Sequence, residues 1–342
     1  MIQATWTGIE RLEIIENGHR RTTLNKHQVR LRITAAGICG TDIHIWEGRL
    51  PFAKAPLVLG HEFAGIVEEC GPGVNGFSAG DRVKCDSVAG CGICRWCRRG
   101  ATQFCPKGWE FGITRDGGWT DRLVVPERNL HRLPDALTDE VAAILDVEVY
   151  SAFRKPGVSP GDTVAVVGAG PAGLIALQCA RILGAGRVIV SDSRPERLAL
   201  SKRLGADHIV NVHECQFVEE VKIITNGQGV DLAFDAAGTE RSFLDVLQVL
   251  RPQGRAVLYG VPDRAIAQFP LQEVILKDIT LYGSLSDRTG WDELIELVAT
   301  RRIDLQSLIT HRFPLRQAGE ALPIIRNPQS GAIKGILLMD SQ

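Results

Sequence analysis

The chain predicts an α/β fold in which a doubly wound parallel sheet joins a β-rich domain that carries a zinc-stapled lobe. Three observations point there. Apolar runs of strand length alternate with helix-length stretches between residues 161 and 287, a glycine turn stands between the first run and its helix, and four cysteines crowd residues 91 to 105.

At the N-terminus, MIQATWTGIERLEIIENG alternates polar and apolar residues like a strand and lacks the charged-then-apolar layout of a signal peptide. A cytoplasmic protein is therefore expected. The 342 residues suit two domains, and a formal net charge of -1 with dispersed basic residues gives no footprint for nucleic acid. The longest apolar runs fall short of a membrane span, so the expected partners are small molecules.

Residues 36–49, AGICGTDIHIWEGR, and residues 56–71, PLVLGHEFAGIVEECG, follow. Cys39, His61 and Glu62 offer a thiolate, an imidazole and a carboxylate, and three protein ligands with an open position make a catalytic rather than a structural zinc site. His61 and Glu62 suit a satisfied core pair equally well.

The lobe GCGICRWCRRGATQFC spans residues 90–105. Nine cysteines, an odd number in a long chain with no secretion signal, argue against a disulfide framework. Cys91, Cys94, Cys97 and Cys105 can close round one ion as a tetrahedral structural zinc site. Arg95, Arg98 and Arg99 lie among them, where they can offset the negative charge of four thiolates on a dication. A redox-active CxxC pair is the alternative reading.

From Gly161, GDTVAVVGAGPAGLIALQCARILGAGRVIVSDSRPERL reads as a β-α-β unit. Gly168 permits the tight turn, Gly170 lets the backbone approach a pyrophosphate, and Gly173 lets helix and strand pack, with the helix N-terminus facing the anion. Asp192, at the end of the next strand, suits the ribose hydroxyls of NAD and repels a 2'-phosphate. Arg194 and Arg197 could receive that phosphate instead. Further strands are expected at HIVNV, VDLAFDAAG, GRAVLYGV and ITLYGSL, with helices in RPERLALSKRLG and ERSFLDVLQVLR.

Taken together, GICGTDIH at 37–44, GHEFAG at 60–65, the four-cysteine lobe, GAGPAG at 168–173 and VSDSRPERLALSKRLGADHIVN resemble the medium-chain zinc-dependent alcohol dehydrogenase family over almost the whole chain, nearest its L-threonine and polyol branches. The resemblance implies a GroES-like catalytic domain at 1–149, interrupted by an NAD-binding Rossmann domain at 150–288 and resumed at 289–342, with SGAIKGILLMD a strand rejoining the first part. It implies one catalytic and one structural zinc per chain. Cys39 and His61 would bind the catalytic ion, with Glu62 exchangeable against water and Asp146 a carboxylate near the metal. Thr41 and His44 would relay the alcohol's proton, and Asp42 would orient a ligand.

The same resemblance implies cofactor contacts from Pro171 and Ala172 in the turn, from Asp192 and Arg197 at the adenosine, and from Tyr259, Gly260, Val261, Ser284 and Leu285 near the nicotinamide; these last five also suit plain core. It further implies a homodimer or homotetramer through an edge strand at ITLYGSL. The implied reaction converts a secondary alcohol and its ketone by hydride transfer to NAD from an oxygen that zinc polarises. Simple alcohol dehydrogenases carry cysteine where Asp146 stands and often a basic residue where Gly40 stands. The expected substrate is thus a polyol or hydroxy amino acid, with Trp109, Glu110 and Trp119 in its pocket. The competing readings are a nucleotide-binding relative without chemistry, an NADP-dependent simple secondary-alcohol dehydrogenase, and a zinc-stabilised interaction protein.

Overall fold

Strands buried on both faces need near-continuous apolar sequence, and the runs of the central region meet that need. In the computed structural model, which describes residues 1–16, 23–262 and 265–339, they form one parallel sheet. Its spatial order is His208–Asn211, Arg187–Asp192, Thr163–Val167, Val230–Asp235, Leu250–Leu258 and Thr280–Gly283. The chain winds outward from Thr163–Val167 in one direction, then returns and winds the other way. The order therefore reverses between Thr163–Val167 and Val230–Asp235, and that reversal opens a crevice beyond the carboxyl ends of these strands.

Helices Pro171–Ile182, Pro195–Arg203, Phe217–Ile224 and Glu240–Val249 link the strands. The last begins at a capping box: the Thr239 hydroxyl accepts the Ser242 N–H at 3.0 Å and the Ser242 hydroxyl accepts the Thr239 N–H at 2.9 Å. Phe217, Val221, Val246, Leu247 and Ala256 close the core on one side of the sheet. This compact unit comprises Asp146–Gly290 and Thr300–Asp304.

The other compact unit comprises Met1–Leu145, Trp291–Ala299 and Leu305–Gln342. Its main sheet runs Leu130–Arg132, Arg82–Cys85, Phe63–Cys70, Gln28–Ile38, Lys334–Leu338 and Ile309–Pro314, with Arg122–Pro126 also on Gln28–Ile38. All pairs are antiparallel except the last two strands in the row. The strand expected in SGAIKGILLMD is Lys334–Leu338, and Gly335 lies opposite Ile38, so a late segment borders the strand that leads to Cys39. The N-terminal strand Ile2–Gly8 pairs with Arg11–Glu16 and Leu57–Val58 in a small second sheet. Leu31, Ile33, Phe63, Val67, Val83 and Trp119 fill the core below the main sheet. Among the described residues no helix is long and apolar enough to cross a membrane.

Candidate metal centres and cofactor crevice

In the β-rich unit, strand Gln28–Ile38 ends where Cys39 starts the helix Gly40–Trp46. Asp42, in that helix's first turn, is completely buried. Its Oδ2 accepts the Cys39 N–H at 2.8 Å and its Oδ1 accepts the Gly60 N–H at 3.2 Å. The same Oδ1 lies 3.4 Å from His61 Nδ1. One carboxylate thus ties together the two segments that carry Cys39 and His61.

The loop before His61 needs glycine: Gly60 has φ +92°, and a Cβ there would meet the Trp119 indole at 2.1 Å. Trp119 is fully buried and donates its indole N–H to the Gly37 carbonyl at 3.1 Å. Fully enclosed, it packs against this glycine turn instead of lining a pocket. Trp109 meets Phe111 edge-on at 4.6 Å with Arg115 over its ring, and Glu110 accepts the Ser87 hydroxyl at 2.9 Å.

Ligand atoms of Cys39, His61 and Glu62 lie within 4.8 Å of one another. Burial alone would lower the pKa of His61, but the negative charges of Asp42 and Cys39 outweigh it and raise it well above its ordinary value. Burial would raise the Glu62 carboxyl, yet the Lys334 ammonium, 2.7 Å from Oε1 and 2.6 Å from Oε2, leaves it below the usual range. The set mixes thiolate, imidazole and carboxylate donors, the chemistry zinc accepts. Lys334 was not expected from sequence. Its only signal is a lysine inside the apolar run AIKGILL.

Thr41 Oγ1 lies 4.0 Å from the Cys39 thiol. His44 is one turn further on the same helix, with Nδ1 4.0 Å from a Glu47 carboxylate oxygen. Asp146 belongs to the other compact unit. There its Oδ1 caps helix Val147–Ala152 by accepting the N–H groups of Glu148 and Val149, and the Tyr259 hydroxyl donates to its Oδ2 at 3.4 Å.

In the four-cysteine lobe the sulfurs of Cys91, Cys94, Cys97 and Cys105 also lie within 4.8 Å of one another, and all nine cysteines are free. The Ile93 and Cys94 N–H groups point at the Cys91 sulfur and hold its thiol down at about 6, whereas burial and the neighbouring sulfurs push Cys97 up to about 11. Four thiols so placed cannot all ionise without a cation among them. Gly90 makes room, since a Cβ there would approach Cys97 Sγ to 2.5 Å. Arg95 lies over the Trp96 ring at 4.4 Å.

In the parallel-sheet unit, Gly168 has φ +96°, and a Cβ on Gly173 would approach the Gly168 carbonyl oxygen to 1.8 Å. Helix Pro171–Ile182 starts at Gly170 with Pro171 in its first turn, so unpaired N–H groups face outward. A crevice of about 700 Å³ is lined by Gly168, Gly170, Asp192, Arg194, Arg197 and Thr239. Asp192 Oδ2 accepts the Ala169 N–H at 2.7 Å and Oδ1 the Arg194 N–H at 2.9 Å, which leaves each oxygen further lone pairs. Arg194 Nη1 and Arg197 Nε are buried without a hydrogen-bond partner among the described residues.

Gly260 packs against Gly238, and Tyr259 stacks on Phe234 at 5.5 Å between centroids. The Ser284 hydroxyl is buried with no hydrogen-bond partner among the described residues. Val261 is 79% and Leu285 53% exposed, so neither is core. Apolar sequence alone does not separate a core residue from one at an open strand end.

Residues 25–135 match the model of the alcohol dehydrogenase GroES-like domain and residues 171–300 that of the zinc-binding dehydrogenases. A sorbitol dehydrogenase of Halalkalibacterium halodurans is 32% identical over 320 residues, 92% of each chain. An L-threonine 3-dehydrogenase of an Anaeromyxobacter species is 34% identical over 317 residues, 90% of this chain and 91% of that one. The structure of an alcohol dehydrogenase from Thermus sp. ATN1 superposes with a TM-score of 0.91 at 32% identity, covering 99% of this chain and all of the other.

Proposed function

We propose, from the premise that the chain belongs to the medium-chain zinc-binding alcohol dehydrogenase family, that it is a zinc-dependent NAD(H) oxidoreductase interconverting a secondary alcohol of a polyol or hydroxy amino acid with the corresponding ketone. The observation that carries the reading is the joint presence of a Cys39, His61 and Glu62 donor set and a Gly168–Gly173 turn with Asp192 at the next strand end.

Zinc at Cys39, His61 and Glu62 supplies Lewis acidity to an alcohol oxygen, and a nicotinamide cofactor supplies the hydride acceptor. The chain's own groups do the rest. Asp42 holds His61 in one orientation, so its free nitrogen points at the donor cluster. The Thr41 hydroxyl takes the substrate's proton and His44, half exposed, hands it to water. The helix N-terminus at Gly170 receives the cofactor's pyrophosphate. Asp192 accepts the ribose hydroxyls with the lone pairs its backbone partners leave free. Asp146, Tyr259, Gly260, Val261, Ser284 and Leu285 complete the substrate and nicotinamide contacts, with Asp146 a carboxylate near the metal.

The polar-substrate reading rests on Asp146 and on the sorbitol and threonine dehydrogenases among the relatives. The test is kcat/KM for NAD reduction with sorbitol, L-threonine and butane-2,3-diol against butan-2-ol and ethanol. Polar substrates should lead by about tenfold or more, because a substrate without the matching hydroxyl leaves a buried polar group unpaired. A lead for butan-2-ol would return the enzyme to the simple secondary-alcohol dehydrogenases. One observation favours NADP as a second reading: the unpartnered Arg194 and Arg197 nitrogens beside Asp192 suit a 2'-phosphate.

We also assign the protein to the cytoplasm and to a homodimer or homotetramer. The parallel sheet ends on Thr280–Gly283, and the segments before and after it expose Leu271, Ile275, Leu276 and Leu285. Light scattering of a monomer at micromolar concentration would reject that assembly.

A further inference from the structure

We infer that Lys334 is a positioning residue of the Cys39–His61–Glu62 centre, one that weakens Glu62 as a metal donor by gripping both of its carboxylate oxygens. The inference rests on the metal-centre reading above. Lys334 is 5% exposed, and an ammonium so buried needs a partner to offset its lost hydration. Its anion is Glu62, at 2.7 and 2.6 Å.

Three features hold the pair in place. Strand Lys334–Leu338 pairs with Gln28–Ile38, which puts Gly335 opposite Ile38, the residue before Cys39. Gly37 leaves the carboxylate its room, because a Cβ there would sit 2.0 Å from Glu62 Oε2. The Gly37 N–H in turn donates to the Glu62 carbonyl at 2.8 Å. A second buried lysine, Lys84, lies on strand Arg82–Cys85 opposite Ala64 and anchors its ammonium on the Ala143 carbonyl at 2.7 Å. Its charge falls on the same carboxylate.

A carboxylate that accepts a charge-assisted hydrogen bond at Oε1 and faces the same ammonium at Oε2 has less electron density to give a metal. Among the described residues no cation is paired with Cys39 or His61: Cys39 has the Thr41 hydroxyl 4.0 Å from its thiol, and His61 has the Asp42 carboxylate 3.4 Å from Nδ1. Glu62 is thus made the weakest of the three donors by a residue 272 positions away, and it is the one that yields when another oxygen arrives.

The test is the rate of zinc release from the full-length enzyme to a coloured chelator, measured for wild type, Lys334→Met, Lys334→Arg and the double variant Glu62→Gln/Lys334→Met. Lys334→Met should release the ion from this centre on the order of tenfold more slowly, because a carboxylate freed of its ammonium partner keeps its charge for the metal. Lys334→Arg should restore the wild-type rate. The double variant should lose the slowing, and it keeps the test informative if the single variant folds poorly, since a neutral amide leaves no buried charge. Unchanged or faster release from Lys334→Met, or slowing that persists in the double variant, overturns the assignment. Cys39→Ser is run alongside: if it keeps full zinc, the metal-centre reading itself fails, whereas equal rates for wild type and Lys334→Met remove only the role given to Lys334.

Discussion

Asp42 and His61 come from different segments, yet Asp42 Oδ1 stands 3.4 Å from His61 Nδ1 and also accepts the Gly60 N–H beside it. The carboxylate therefore sets both the ring's orientation and the path of the loop that delivers it. Asp42→Asn keeps the shape but loses the charge. We expect metal affinity at this centre to fall about 10- to 100-fold and turnover with it, while zinc in the four-cysteine lobe is unchanged. Metal analysis after dialysis distinguishes the two centres.

The lobe should behave in the opposite way. Cys97→Ser removes one of the four thiols that could hold an ion in a loop built of short turns, Cys97–Arg99 and Thr102–Phe104, whose order would then rest on that ion. Loss of one zinc per chain, a lower melting temperature and a greater tendency to aggregate are expected. Cys39→Ser should instead lose turnover with its melting temperature nearly intact. Equal melting losses for both variants would contradict this division of labour.

Cofactor preference should follow Asp192. Replacing it with serine removes the charge that repels a 2'-phosphate and leaves Arg194 and Arg197 beside the vacated space. The ratio of kcat/KM for NADP to that for NAD should rise by about tenfold or more. A wild-type enzyme that already favours NADP would establish the arginines as the dominant determinant.

A pH-dependent contribution to stability is expected at Asp207. Burial opposes its ionisation, but the Arg181 guanidinium and the Val188 N–H at 2.7 Å outweigh it and hold the carboxyl below its ordinary value. A depressed native pKa gives stability that is present above the unfolded value and lost as pH falls through the native one. Asp207→Asn should therefore lower the denaturation midpoint at pH 7 and converge with wild type in acid, once the pH has fallen through the depressed native value. A difference that stays constant from pH 7 to pH 3 would assign the effect to packing.

What was legible in the sequence was local. The four cysteines within fifteen residues, the glycine turn and Asp192 at a strand end are each defined by spacing along one segment, and such spacing survives folding unchanged. The doubly wound parallel sheet was legible in the alternation of apolar runs and helix-length stretches, whereas the spatial order of its six strands came only with the structure. Trp119 was expected near substrate because the family resemblance places its segment at the pocket, but its indole packs over Gly60 in the core. Asp146 was read from the family resemblance as a carboxylate near the metal, and the cap it provides to Val147–Ala152 emerges only with the backbone. Lys334 could not be read at all, because its meaning depends on a partner 272 residues earlier.

The pairing of Lys334–Leu338 with Gln28–Ile38 has a consequence for how the protein is made. During translation the strands from Gln28 to Arg132 leave the ribosome early, and Arg122–Pro126 can then pair with Gln28–Arg32, yet the neighbour of Ala35–Ile38 is synthesised after the whole parallel sheet. Until residue 338 emerges, that end of the strand presents unpaired backbone groups to any passing strand. The nascent N-terminal half is thus the stage at which a chaperone has most to protect, and the last strand acts as a latch that ends the period of risk.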